Sequence, residues 1–236
     1  MVLIMQMVIF CGGLATRLGN LAKNTPKSMI NIDSRPFLEH QINMLKKQNI
    51  TDIILCVGHL SEQIESYFKD GEKQNVNIKY SYDGEKALGP IGALKNAEHF
   101  LKDDFFIMYG DSYLSVDFKK VFDFYKKHDK PACMVVYKNQ NKYDKSNLII
   151  KDNIAVGYGD SQRTDEMIYI DYGTSILNKK TLDLVPKNTF FSTGEFFSKL
   201  IKRKELLTYE SAKRFYHIGN PEALEELREH IKNSLL

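Results

Sequence analysis

Residues 5–18 read MQMVIFCGGLATRL, and this stretch decides the fold. Met5 to Phe10 is a mostly apolar run that predicts a strand, and two glycines follow it closely. Glycine lets the backbone approach an anion, and N–H groups exposed after a strand form an anion-binding nest. Arg17 and Lys27 add fixed positive charge, so the stretch indicates a phosphate-binding loop. It matches neither GxGxxG nor GxxxxGK(S/T), so dinucleotide-binding and Walker A loops lose their main support.

The first half of the chain alternates strand-like with helix-like stretches, which is typical of βαβ units on a parallel sheet. In chain order the pattern predicts a helix around Phe37 to Leu45, a strand at Asp52 to Val57, a helix at Ser61 to Phe68 opened by a Ser61 cap, a strand at Val76 to Tyr82, a helix around Ile91 to Leu101 and a strand at Asp104 to Tyr109. The sequence therefore predicts an α/β fold with a mainly parallel central sheet.

The second half predicts a smaller mixed-sheet region laid over the first half. Its predicted elements are a helix around Phe118 to Tyr125, strands at Ala132 to Tyr137, Asn147 to Ile150, Ile154 to Tyr158 and Met167 to Leu177, and a helix at Pro221 to Leu235. No internal repeat or Pro/Gly-rich linker separates the halves, so we expect one domain over residues 1–236.

Composition excludes several classes of partner. The 33 basic and 30 acidic residues give a formal charge of +3 without a basic stripe, so we expect no nucleic-acid surface. No apolar stretch approaches the roughly 20 residues that span a bilayer, so we expect a cytoplasmic protein without membrane insertion. Cys11, Cys56 and Cys133 lack CxxC spacing, which indicates buried reduced thiols. The oligomeric state stays open.

The string GGLATRL with Pro26-Lys27 resembles the G-G-x-x-T-R-L…P-K signature of the sugar-1-phosphate nucleotidyltransferases. The similarity continues along the chain in Arg35-Pro36-Phe37-Leu38, Ser81-Tyr82-Asp83-Gly84, Leu88 to Leu94, Tyr109-Gly110-Asp111, Ile170-Asp171-Tyr172-Gly173 and Ile218 to Glu222. The resemblance implies a Rossmann-like, three-layer nucleotidyltransferase fold. It also implies direct attack of an acceptor phosphate on the α-phosphorus of an NTP, with release of pyrophosphate.

By this resemblance residues 1–130 form an NTP-binding half and residues 131–236 an acceptor-binding half. Arg17 would hold the β- and γ-phosphates, Lys27 the α-phosphate, and Asp111 a Mg²⁺ ion, with Mn²⁺ as an alternative. Asp111 alone is equally typical of a turn or a helix cap. The implied nucleotide-binding residues are Gly12, Gly13, Leu14, Ala15, Thr16, Tyr82, Asp83, Gly89, Gly92 and Gly110.

Asp83 would accept a hydrogen bond from an exocyclic amine of cytosine, adenine or guanine, unless Asp-Gly is only a strand-end turn. Asp171, Tyr172 and Gly173 match the segment that touches the acceptor, and Glu195 is a further candidate. Asp171 and, more so, Glu195 are also compatible with ordinary strand or helix-start chemistry.

Three positions depart from the family pattern. Pro90-Ile91 replaces the T-x of the usual L-G-T-x-G-A loop, so base or acceptor preference differs. His217 stands where relatives carry a second acidic metal ligand; it either ligates metal, which favours Mn²⁺, or hydrogen-bonds a phosphate, or is structural. The usual acceptor lysine is missing, and Arg163 is its candidate substitute.

The motifs look closest to cytidylyl- and guanylyltransferases of bacterial capsule and surface-polysaccharide pathways. Our prediction is a cytidylyltransferase that joins CTP to a small phosphorylated acceptor, including non-sugar phosphates such as phosphoglutamine. The alternatives are a heptose- or hexose-1-phosphate guanylyl- or uridylyltransferase, and a non-catalytic nucleotide-sensing relative.

Overall fold

The computed structural model of the protein describes residues 5–13, 24–84, 86–159 and 163–234. Its strands are β1 (Gln6–Phe10), β2 (Asn31–Ile32), β3 (Arg35–Pro36), β4 (Asp52–Val57), β5 (Asn77–Tyr82), β6 (Asp104–Tyr109), β7 (Ser112–Tyr113), β8 (Ala132–Lys138), β9 (Leu148–Lys151), β10 (Ile154–Tyr158), β11 (Tyr169–Asn178), β12 (Leu206–Glu210) and β13 (Tyr216–His217). Its α-helices are α1 (Phe37–Lys46), α2 (Ser61–Phe68), α3 (Gly89–Asn96), α4 (Phe118–Lys126), α5 (Thr193–Lys202) and α6 (Pro221–Ser234).

Strands from both halves of the chain join in one nine-stranded sheet of order β5-β4-β1-β6-β11-β8-β12-β10-β9. The first four strands are parallel, and β11 then runs antiparallel to β6, with Thr174 opposite Met108. The later strands therefore extend the sheet edge to edge, where the sequence pattern had predicted a region laid over it. Tyr169 of β11 also pairs with Leu148 of β9, so the far end of the sheet curls.

Helices cover both faces of the sheet and give it three layers. Along β1 the side chains alternate, so Met7 and Ile9 enter one core and Val8 enters the other. Helices α1, α2 and α4 pack on the first face, and α3 and α5 pack on the second. This is the Rossmann-like α/β architecture that the sequence predicted. Within the described residues, no helix has the length and apolar character needed to cross a membrane.

Two local predictions were wrong. Ser61 does not cap α2; Leu60 occupies the cap position with φ of 59°, and no side chain there accepts a backbone N–H. The helix predicted to reach Leu101 is α3 only to Asn96, and a 3₁₀ turn over Ala97–Phe100 follows. After this turn the Lys102 N–H donates to Gln6 Oε1 of β1 at 2.9 Å, which ties the segment before β6 to β1.

The carboxyl ends of the four parallel strands converge at one edge of the sheet. Gly12 and Gly13 follow β1, Gly58 follows β4, Asp83 follows β5, and Asp111 lies just beyond β6. Ligands of open α/β sheets bind at this edge because the loops that leave parallel strands meet there. The fold therefore gathers the sequence motifs in one place.

Candidate active site

A cavity of about 530 Å³ lies at this edge of the sheet. Among the residues predicted from sequence, it is lined by Gly12, Gly13, Lys27, Asp83, Gly89, Gly110 and Asp111. The fold therefore brings predicted residues from five separate segments of the chain together around one cavity. Leu14, Ala15, Thr16 and Arg17 were also predicted there, and they lie outside the described residues.

Lys27 and Asp111 form the charged centre of the cavity. The Lys27 Nζ atom lies 2.5 Å from Asp111 Oδ2, and both side chains are partly buried. Lys27 opens a 3₁₀ turn after Pro26, whereas Asp111 follows Gly110 at the end of β6. The ion pair balances both charges within the protein, so a bound phosphate or cation would have to compete with one partner for the other.

Asp83 forms a second polar centre, between the glycines that follow β1 and β4. A Cβ atom built on Gly12 would lie 3.6 Å from Asp83 Oδ2, and one built on Gly58 would lie 3.5 Å from the same oxygen. Oδ2 accepts a long hydrogen bond of 3.4 Å from the Leu88 N–H. Burial raises the pKa of the Asp83 carboxyl, and the Leu88 N–H partly offsets this rise. The carboxylate keeps acceptor capacity toward the cavity.

The predicted glycines have different structural roles. Gly89 lines the cavity with φ of +69°, a conformation that favours glycine, and it lies against Phe190. Gly92 is not among the residues that line the cavity. A Cβ there would approach the Thr189 carbonyl oxygen to 2.5 Å, so Gly92 lets α3 pack against this segment. Gly110 similarly allows close approach of the Phe10 carbonyl, because β1 and β6 end side by side.

Tyr82 does not line the cavity, although the family resemblance implied a place for it beside the nucleotide. Its side chain is exposed, and its hydroxyl donates to Glu65 Oε2 at 2.9 Å. Side chains alternate along a strand, so Tyr82 lies on the opposite face from its buried neighbour Ser81. Only Asp83, beyond the end of β5, reaches the site.

The predicted acceptor segment lies next to the cavity through Tyr109. The Tyr109 hydroxyl donates to Asp171 Oδ2 at 3.0 Å, and the Gly173 N–H donates to Asp171 Oδ1 at 2.9 Å. Burial nevertheless raises the pKa of the Asp171 carboxyl to about 6. Gly173, with φ of +97°, packs on Ser112, the neighbour of Asp111. Asp171 and Gly173 therefore flank the charged centre.

Three other acceptor predictions receive no support from the geometry. Tyr172 is buried in the core, and its hydroxyl donates to the Arg214 carbonyl at 3.3 Å. Glu195 lies in the first turn of α5, where its carboxylate pairs with Lys199 at 3.3 Å. Arg163 is exposed next to residues outside the described range. Residue type and spacing do not reveal such side-chain directions, which depend on how each element packs.

His217 lies on β13, directly opposite Ser112 of β7. Its Nδ1 atom accepts the Gly219 N–H at 2.9 Å, which requires an unprotonated Nδ1 in the neutral ring. Burial lowers the pKa of His217 and favours that neutral ring. The remaining nitrogen, Nε2, then carries the hydrogen and is a donor. A metal ligand needs a lone pair on the coordinating nitrogen, so this hydrogen bond opposes metal ligation by His217.

Several residues that line the cavity were not predicted from the sequence. Cys11, Ser28, Cys56, Ala87 and Phe190 also line it. Burial raises the pKa of Cys11 to about 12, so its thiol is not a nucleophile at neutral pH. The apolar run around Cys11 had indicated a buried thiol, and the three cysteines are indeed free and buried. Phe190 carried no signal, because its segment joins the cavity only through the packing of α3.

Residues 6–147 match the family model for nucleotidyl transferases, and this match covers more than half of the chain. The chain belongs to the nucleotidyl transferase family. The chain is 32% identical over 220 residues to the D-glycero-α-D-manno-heptose 1-phosphate guanylyltransferase of Campylobacter jejuni, covering 92% of this chain and 96% of the relative. It is 31% identical over 225 residues to the mannose-1-phosphate guanyltransferase of Saccharomyces cerevisiae, covering 92% of this chain and 62% of that longer protein.

A solved structure, HddC from Yersinia pseudotuberculosis complexed with GMP-PN, matches with a TM-score of 0.80 and 26% identity. The match covers 97% of this chain and 100% of HddC. The nucleotidyl transferase fold and the sugar-1-phosphate nucleotidyltransferase resemblance are thus confirmed. The relatives support sugar-phosphate nucleotidyltransferase activity. They are guanylyltransferases, and neither CTP nor phosphoglutamine receives support from them.

Nucleotidyl transferases of this family commonly use a divalent metal. Within the described residues, no three His, Cys, Asp or Glu side chains are grouped to hold an ion. Among the described residues, Asp111 is the carboxylate that lines the cavity beside Lys27, while Asp83 lies against Gly12 and Gly58. A single carboxylate fits Mg²⁺, which proteins often hold by one or two carboxylates together with substrate phosphates.

Proposed function

We propose that this protein is a guanylyltransferase that transfers GMP from GTP to a heptose or hexose 1-phosphate and releases pyrophosphate. The observation that carries the proposal is the Asp83 carboxylate beside Gly12 and Gly58 in the cavity. Guanine presents two adjacent donors, N1–H and the N2 amine, which match the two oxygens of a carboxylate. The two guanylyltransferase relatives, at 32% and 31% identity, support the same base.

Cytosine and uracil fit this environment less well. Cytosine offers only its N4 amine to a carboxylate, and uracil places carbonyl oxygens on both sides of its single N–H. A partly buried carboxylate such as Asp83 that faces a carbonyl is penalised, because both groups are acceptors. We therefore replace the sequence-based expectation of CTP with GTP, and we place the base against Asp83 with the phosphates toward Lys27.

The proposed reaction needs positioning and charge neutralisation rather than a general base, because the acceptor phosphate is already an anion. A new bond forms between an acceptor phosphate oxygen and the α-phosphorus, and the bond from that phosphorus to the bridging oxygen of the β-phosphate breaks. Lys27 neutralises charge at the α-phosphate as it exchanges Asp111 for a phosphate oxygen. Asp111 would hold the divalent cation, which would screen the phosphate charges when bound.

On the acceptor side, we propose that His217 donates its Nε2 hydrogen to a phosphate oxygen and does not ligate the cation. The neutral ring and the Gly219 N–H bond to Nδ1 support this assignment. Asp171, held by Tyr109 and Gly173, is the proposed acceptor for sugar hydroxyls. In this arrangement residues 1–130 supply most nucleotide contacts, and residues 131–236 supply most acceptor contacts.

The proposal is tested by measuring pyrophosphate release from GTP, CTP, UTP and ATP with heptose, mannose and glucose 1-phosphates, in Mg²⁺ and in Mn²⁺. We expect acceptor-dependent release with GTP, abolished in Asp111→Ala. Asp129→Asn is the matched control, because Asp129 is an exposed carboxylate that precedes the amino end of β8, at the opposite edge of the sheet. Release with CTP but not with GTP would overturn the proposal. Nucleotide binding without release under every condition would favour a sensing protein.

A further inference from the structure

Phe190 is an aromatic side chain at the cavity that the proposed chemistry does not yet use. It is 63% exposed, against 42% for Tyr67, another exposed aromatic residue. It also lines the cavity that contains Asp83. An exposed phenyl ring in a ligand cavity is an apolar surface that a flat ligand can cover.

The backbone of Phe190 is held firmly although its ring is exposed. The next residue, Phe191, is buried, and its N–H donates to the Leu88 carbonyl at 2.8 Å. The Phe191 carbonyl accepts the Ile91 N–H at 3.1 Å, at the start of α3. Two hydrogen bonds and a core side chain therefore fix the segment to α3. A segment fixed in this way loses little backbone conformational entropy when a ligand covers the Phe190 ring.

The wall beside Phe190 is apolar. A Cβ atom built on Gly89 would lie 3.0 Å from Phe190 Cε2, so the ring packs directly over this glycine. Ala87, Pro90 and Ala93 line the same cavity with small or rigid apolar surface. A hydrogen-bonding carboxylate and an aromatic face in one apolar cavity are the two parts that recognise a nucleobase: an edge contact and a stacking surface.

We propose that Phe190 stacks on the base of the bound nucleotide and favours purine over pyrimidine nucleotides. This inference rests on the proposed function, because it assumes that the base lies beside Asp83. Stacking is insensitive to the hydrogen-bond pattern of the base and grows with its area, so the two rings of guanine gain more than the one ring of cytosine. In this arrangement Asp83 forms hydrogen bonds with the edge of the base, and Phe190 favours bases with two rings over bases with one ring.

The test is the dissociation constant of GTP and of CTP, measured by calorimetry without acceptor for the wild type, Phe190→Ala, Phe190→Leu and Phe190→Tyr. We expect Phe190→Ala to weaken GTP binding about tenfold or more, CTP binding less, and Phe190→Tyr to bind like the wild type. Phe190→Leu keeps apolar volume without a flat face, and it should resemble Phe190→Ala. Tyr67→Ala is the control, because Tyr67 is an exposed aromatic on α2 whose hydroxyl donates to Glu39.

Thermal unfolding of each variant should match the wild type, since the Phe190 ring is largely exposed. Equal GTP affinity in Phe190→Ala and the wild type would overturn the inference and leave the proposed function standing. Equal loss of GTP and CTP affinity would overturn the size selection. A wild type that binds CTP and fails to bind GTP would instead overturn the proposed function, and the inference with it.

Discussion

Replacing Asp83 by Asn tests how the site reads the base with the smallest change of shape. Asn has nearly the same volume, but it has one acceptor oxygen and presents an amine in place of the other. Guanine would lose one of two hydrogen bonds to a charged acceptor and meet a donor opposite a donor. Hydrogen bonds to charged groups contribute about 1.5–3 kcal/mol each, so we expect kcat/KM for GTP to fall roughly 10- to 150-fold.

Burial raises the pKa of Asp83, which gives the same variant a second signature. Protonation removes the charged acceptor, so wild-type GTP affinity should decline as the pH falls toward the raised pKa. Asp83→Asn has no titrating group at this position, and its affinity should lack this decline. Asp129→Asn removes an equal charge from an exposed site and keeps Asp83, so it should show the kcat/KM of the wild type and the same decline of GTP affinity at low pH.

The assay is continuous pyrophosphate release with GTP, CTP, UTP and ATP at saturating acceptor, for the wild type and both variants. The ratio of kcat/KM for GTP to that for ATP isolates base recognition from phosphate binding. We expect this ratio to fall in Asp83→Asn and to stay constant in Asp129→Asn. An unchanged ratio in Asp83→Asn would refute base recognition by this carboxylate, even if overall activity dropped.

Three further changes follow from the geometry. In Gly12→Ala the new methyl group lies at an ordinary 3.6 Å from Asp83 Oδ2, so the free energy of unfolding in urea should change by less than about 0.5 kcal/mol. The same methyl group would lie in the space proposed for the base, so KM for GTP should rise about tenfold. A KM unchanged from the wild type would contradict the proposed position of the base. The pKa of the Asp171 carboxyl is about 6 in the folded protein, against an ordinary 3.8. Its contribution to the free energy of unfolding is therefore fully present below pH 3.8 and is lost as the pH rises through 6. The loss amounts to up to about 3 kcal/mol, and Asp171→Asn should remove this part of the pH dependence in urea titrations; identical pH profiles would refute it. His217→Asn should raise KM for the acceptor and leave Mn²⁺ affinity, measured by electron paramagnetic resonance, unchanged; weaker Mn²⁺ binding would make His217 a ligand after all.

The sequence predicted the parallel half of the fold well because local patterns determine it. The strands at Asp52–Val57 and Asp104–Tyr109 have the bounds that their apolar runs indicated. Their carboxyl ends necessarily meet at one edge, so a glycine loop, Asp83 and Asp111 could be expected to converge. The antiparallel insertion of β11 beside β6 was not predictable in this way, because it depends on pairing between distant segments.

Within the site, the sequence predicted residues whose backbone position decides their role, and it failed where side-chain direction decides. Lys27 directly follows Pro26, Asp111 directly follows Gly110 beyond the end of β6, and the two side chains meet as an ion pair. Tyr82 and Tyr172 both belong to motifs that resemble the family pattern. Tyr82 is nevertheless exposed beside Glu65, and Tyr172 is buried in the core. The hydrogen bond from Gly219 to His217 determines the tautomer of the ring, and only the folded geometry reveals it.

The most direct test of the account compares the four NTPs as substrates of the wild type with a heptose or hexose 1-phosphate as acceptor. We predict that GTP gives the highest kcat/KM for pyrophosphate release and that the other product is the corresponding GDP-sugar. A higher kcat/KM with CTP, and a cytidylylated product, would contradict base recognition as we derive it from Asp83 and the cavity around it.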